Sequence, residues 1–156
     1  MLANRIVILC GGVLAAGLLY CGLRAPAVPV HAAQVNAGEA QPAAALYSAA
    51  QAKRGADLYQ SQQCATCHGA DLAGVGANPP LNGDNFLSVY SGHSILVLFD
   101  KVQKSMPQTN PGSLTPAQTA DLLAYMLSMN RYAAGDDELP ADRDKLKTIQ
   151  MPKLAK

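Results

Sequence analysis

Leu122, Leu123, Met126 and Met129 recur at helical spacing behind Thr115-Pro116, the strongest helix signal in the chain. Thr115 suits an N-cap, Pro116 the first helical position, and Gln118 the third position of a capping box. This helix is predicted to end near Asn130. A second apolar stripe, Ile95, Leu96, Leu98, Phe99 and Val102, predicts an amphipathic helix of about ten residues. A third helix is predicted from Ser48 to about Gln63. Ser48 and Gln51 form its capping box, and Ala52, Gly55, Ala56 and Tyr59 share one face. Between Gly69 and Gly92 the chain is rich in glycine and proline and reads as loop, and "KSMPQTNPGSLTP" reads as a polar loop. No stretch alternates long enough to predict a sheet. The expected fold is all-α: a small helical domain over residues 48–132 with long loops. A flexible linker (33–47) precedes it, and a mixed-charge tail (133–156) with one short helix follows.

Residues 1–32 read differently. Arg5 precedes an apolar run from Ile6 to Leu23, and "RAPAVPVHAAQ" then breaks with prolines. Val30-His31-Ala32 meets the small-x-small rule for cleavage before Ala33, so a signal peptide is the favoured reading. The alternative is a retained membrane tether through residues 6–23, because the run approaches the about 20 residues that a span requires. A lipid-modified Cys21 fits less well, with bulky Tyr20 before it. Either way the domain is expected outside the cytoplasm, in the periplasm. The 156-residue chain carries 12 basic and 11 acidic residues. Without Arg5 and Arg24, ten basic residues remain against the same 11 acidic ones. No basic surface for nucleic acid is expected. With 2 Phe, 6 Tyr and no Trp, a side-chain core of this size is thin, and a flat apolar cofactor would complete it.

Cys10 and Cys21 fall in the leader, leaving Cys64 and Cys67. In an oxidising compartment such a pair forms a disulfide unless other chemistry consumes it. "SQQCATCHGAD" offers three readings. A thioredoxin-like redox pair needs a strand before the motif, and here a helix precedes it. Zinc would draw on Cys64, Cys67, His68 and His93, but adjacent Cys67 and His68 diverge too far to share one tetrahedral ion comfortably. Haem suits the spacing best. On one helical turn Cys64 and Cys67 point the same way for two thioether bonds, and His68 stands where its Nε2 can ligate iron. The expected cofactor is therefore one covalent haem c with its iron.

The second axial ligand decides what such a haem does. Met126 and Met129 read as core residues, and Met151 lies in the tail. His93 is a serviceable imidazole, but "SGHS" reads as a solvated cap region. Met106 is the thioether in a polar loop, between Ser105 and Pro107, with no core to fill. A His68/Met106 pair would favour ferrous iron and leave no easy access for a small substrate. The expected role is electron carriage rather than catalysis. The alternatives are a haem enzyme or sensor with a displaceable distal ligand. No distal acid–base pair and no signalling domain is apparent for either.

Over about residues 48–132 the chain resembles the class I cytochrome c family. Gly55 and Tyr59 resemble the glycine and aromatic of the family's first helix, Cys64, Cys67 and His68 its attachment motif, and Met106-Pro107 its distal motif. Tyr125 resembles the aromatic of the last helix, which crosses the first against Gly55. Pro79-x-Leu81-x-Gly83 is similar to the loop in which a proline carbonyl accepts the proximal histidine's Nδ1–H and a leucine packs on the haem. Asn78-Pro79 stands where the family has Gly-Pro, and no ring of lysines surrounds the expected haem edge. The stretch from "SLTPAQTADLLAYM" onward looks like bacterial cytochromes serving periplasmic dehydrogenases, quinoprotein alcohol dehydrogenases among them. The resemblance thus implies a periplasmic dehydrogenase as donor and an oxidase or another cytochrome as acceptor.

Overall fold

A computed structural model describes residues 45–153; the leader and most of the linker lie outside the described residues. Within that range the fold is almost wholly helical: α1 (Ala49–Ser61), the single turn α2 (Ala65–His68), α3 (Gly83–Tyr90), α4 (Ile95–Ser105), α5 (Pro116–Met129) and α6 (Arg143–Thr148). Two-residue strands β1 (Tyr47–Ser48) and β2 (Ala134–Gly135) pair in parallel as the one small sheet among the described residues. No helix among the described residues is long and apolar enough to cross a membrane.

The α1–α5 crossing is the backbone of the domain, and Gly55 makes it close. A Cβ built at Gly55 would lie 1.9 Å from the Asp121 carbonyl oxygen and 2.9 Å from Tyr125 Cβ. Only hydrogen fits there. Tyr59 follows one turn on and packs against Tyr125, ring centroids 5.4 Å apart and tilted by 59°. Outside this apolar seam Arg54 grips both Asp121 carboxylate oxygens (3.1 and 2.9 Å) and Glu138 (2.9 Å). That ion triad raises the guanidinium pKa, through Glu138 first and Asp121 next. The core continues through Leu122, Leu123, Met126 and Leu127 of α5 and through Ile95, Leu98, Phe99 and Val102 of α4.

Cap chemistry explains where the helices begin. Thr115 Oγ1 accepts the Gln118 N–H (3.2 Å) while Gln118 Oε1 accepts the Thr115 N–H (2.9 Å), completing the expected box. At α1 only half of the expected box forms. Ser48 Oγ accepts the Gln51 N–H (3.1 Å), but the buried Gln51 amide turns away to Leu139. Its Nε2 donates to the Leu139 carbonyl (2.9 Å) and its Oε1 accepts the Leu139 N–H (2.7 Å). A tertiary partner outbids the local cap.

Three expectations need correction. The loop expected from Gly69 to Gly92 contains α3, a two-turn helix that buries Phe86. Residues 133–153 do not trail as a tail: Leu139, Leu146 and Met151 are buried, at 2, 0 and 1% exposure. This C-terminal segment joins the loop before α4 by Gly92 N–H to Met151 O (2.7 Å), Met151 N–H to His93 O (2.9 Å) and Ile95 N–H to Ile149 O (2.9 Å). The end of the expected linker is ordered too. Leu46 and Tyr47 are buried, and Tyr47 Oη donates to the Tyr132 carbonyl (2.7 Å).

Candidate haem-binding site

The motif begins where α1 ends. Gln63 takes a positive φ of 56°, which turns the chain sharply into Cys64. From Cys64 the backbone is helical: His68 N–H reaches Cys64 O (2.9 Å) and Gly69 N–H reaches Ala65 O (2.9 Å). One helical turn therefore carries both thiols and the imidazole. Cys64 is partly buried, Cys67 exposed, and both are free. Burial pushes the Cys64 thiol pKa up. A redox-active C-x-x-C pair wants the opposite shift, so this environment does not suit the thioredoxin-like reading. The zinc reading also fails on geometry, because no three His, Cys, Asp or Glu side chains form a metal-holding group among the described residues.

The carbonyls at the end of this turn find partners. Val75 N–H donates to Cys67 O (3.0 Å), Gly74 N–H to His68 O (2.8 Å), and Tyr59 Oη to Gly69 O (2.7 Å). Burial raises the Tyr59 pKa strongly, so its hydroxyl stays a donor. Gly74, at φ +84°, permits the return of the loop: a Cβ there would lie 2.5 Å from the Asn78 carbonyl oxygen. Leu72 adopts φ 64°, a left-handed conformation costly for a branched side chain, and is fully buried. Its carbonyl accepts the Leu81 N–H at 2.8 Å, which closes the loop over the motif.

That closure brings Pro79 to His68. The buried imidazole's Nδ1 lies 3.0 Å from the Pro79 carbonyl oxygen. A carbonyl only accepts, so Nδ1 carries the proton and Nε2 presents a lone pair. Asn78 in place of glycine does not prevent this contact. Its Nδ2 donates to the Val75 carbonyl (3.0 Å), a side-chain bond that steadies the same turn. Leu81 is partly buried against the core.

Met106 is the C-cap of α4, with extended backbone and its N–H on Val102 O (2.9 Å). It is partly buried and packs against the hydrophobic core. The other candidates separate clearly. His93 is exposed. Met126 is core as expected, but Met129 is 40% exposed, so it does not fill the core. Met151, expected in a loose tail, is buried.

One contributor has no motif to betray it. Buried Asn130 accepts the Gly83 N–H (3.0 Å) and donates to the carbonyls of Leu81 (2.9 Å) and Met126 (2.8 Å). It ties the end of α5 to the loop that holds Leu81. Its position just past the last apolar residue of α5 marks it only as a helix terminus.

The donor set fits a covalently held haem: two free thiols and a single-lone-pair imidazole share one turn, with the ring orientation set by a carbonyl. Comparison with known proteins agrees. Residues 50–126 match the family described as cytochrome c oxidase, cbb3-type, subunit III, and this part of the chain is a class I c-type cytochrome domain. No curated protein and no solved structure gives a significant match. Domains of this family carry haem c with its iron in electron transfer, typically as carriers rather than enzymes, and are typically exported.

Proposed function

We propose that the protein is a periplasmic single-haem electron carrier in which Cys64 and Cys67 hold the haem, and His68 and Met106 ligate its iron. The observation that carries this reading is the 3.0 Å contact between His68 Nδ1 and the Pro79 carbonyl. It fixes the tautomer and aims Nε2 away from the loop, on the turn that also presents both thiols. Once bound, the haem supplies a one-electron ferric/ferrous couple. The protein's part is to orient the imidazole, to offer the Met106 thioether, and to shut water out with Leu81 and the core.

The donor is a periplasmic dehydrogenase and the acceptor an oxidase or another cytochrome. The oxidase-subunit description of the matched family favours the acceptor side of that pairing. Residues 1–32 serve as the export signal, or remain as a tether.

Met106→Ala tests the ligand pair. It should abolish the weak near-infrared band of thioether–ferric ligation and lower the reduction potential, while His93→Ala should change neither. Retention of the band in Met106→Ala, or its absence from the unaltered ferric protein, would overturn the assignment. Rapid, tight binding of carbon monoxide or cyanide by the unaltered protein at neutral pH would instead favour the enzyme or sensor reading.

A further inference from the structure

The C-terminal segment lies outside the matched residues 50–126, and nothing in the site accounts for it. We infer that residues 143–151, through Arg143 and the backbone around Leu146–Met151, are a positioning device for Met106. They fix α4 and thereby the place at which its C-cap residue is presented. The inference rests on the reading of Met106 as distal ligand.

The Met106 side chain packs against the core, but its backbone is held from one side. Its N–H closes the last turn of α4 on Val102. Beyond it, residues 108–113 are exposed. Their backbone bonds are local turns, Asn110 N–H to Pro107 O (2.9 Å) and Ser113 N–H to Asn110 O (3.3 Å). These tie the loop to itself. The position of Met106 therefore follows that of α4.

α4 packs on α5 and α3 through apolar side chains, contacts that carry no hydrogen-bond directionality. Directional contacts come from the C-terminal segment. The N-cap Ser94 hydroxyl donates to Leu146 O (3.0 Å), and Ile95 N–H donates to Ile149 O (2.9 Å). One and a half turns on, Asp100 receives the Arg143 guanidinium on both carboxylate oxygens and Lys104 on one. Arg143 holds the Asp100 carboxyl down at about 2, so the pair is ionised throughout the neutral range. A helix bonded at its cap and gripped near its middle has one register. Its last residue then has one place.

The test uses the haem-loaded ferric protein and imidazole, a neutral ligand that competes with a thioether for iron. Its apparent affinity scales with the fraction of molecules in which the thioether has left. Arg143→Ala and Asp100→Asn change net charge in opposite directions, yet each should tighten imidazole binding roughly threefold or more, the scale of one partly exposed ion pair. Arg143→Lys should recover part of the effect. Arg54→Ala removes the ion triad with Asp121 and Glu138, which does not touch α4, and should leave imidazole affinity unchanged. Native affinity in both Arg143→Ala and Asp100→Asn would overturn the inference, as would an equal shift in Arg54→Ala, which would mean general loosening. Opposite shifts in Arg143→Ala and Asp100→Asn would also overturn it, as a field effect. These failures leave the Met106→Ala band loss intact. A Met106→Ala protein with an unaltered spectrum would remove the ligand reading and this inference together.

Discussion

His68 shows how much of the site was legible residue by residue. Two thiols and an imidazole within one turn announce themselves in sequence, because their chemistry requires that spacing. The carbonyl that orients the imidazole does not, since any residue has one, and only the resemblance pointed to Pro79. Burial in this loop is no more visible: Leu72 sits among glycines yet is fully buried, while Val75 is the large apolar side chain of the loop left exposed, at 49%. Asn130 was invisible, because a polar residue at a helix end has an ordinary role as a terminator. Asn130→Ala should cost about 1–3 kcal/mol, since it strips partners from the Gly83 N–H and from the carbonyls of Leu81 and Met126, the last of them buried. Urea unfolding of the haem-loaded protein measures this; an unchanged midpoint would mean that water satisfies those groups as well.

Among the elements, α1, α4 and α5 were readable because each has a long apolar stripe and a cap. α3 was not. Two turns leave room for one fully buried side chain, Phe86, and its N-cap Asn82 makes no side-chain cap bond. The C-terminal segment was hidden differently. Its acidic residues suggest solvent, while its attachment uses backbone groups and three scattered apolar residues that share no period. The α1–α5 crossing yields the sharpest test at this scale. Gly55→Ala sets a methyl 1.9 Å from a backbone oxygen that no side-chain rotation can move. The helices must separate, and the expected loss is about 3 kcal/mol or more, at the upper end of ordinary overpacking. A melting temperature equal to that of the unaltered protein would show that the seam yields freely.

The whole molecule is nearly balanced in charge, with ten basic and 11 acidic residues once Arg5 and Arg24 are set aside. Of the two lysines near Met106, Lys104 is already engaged with Asp100 at 2.9 Å, and Lys101 makes no ion pair among the described residues. Docking to redox partners should therefore rest on apolar contact around Val75 and Ala77 and respond weakly to salt. The second-order rate of reduction by the native dehydrogenase should fall less than roughly tenfold between low and physiological ionic strength; a hundredfold fall, within the reach of electrostatic steering, would reveal a charged docking patch.

The seam between α1 and α5 also has a consequence in time. Arg54 and Asp121 stand 67 positions apart, and Cys64 and Cys67 lie inside that interval. A chain made from its N-terminus releases both thiols well before α5 exists to close on α1. Closing so wide a loop carries an entropic cost, and it cannot begin until α5 has been made. The thiols can thus be modified on an open chain, before the seam closes and the fold shuts around them.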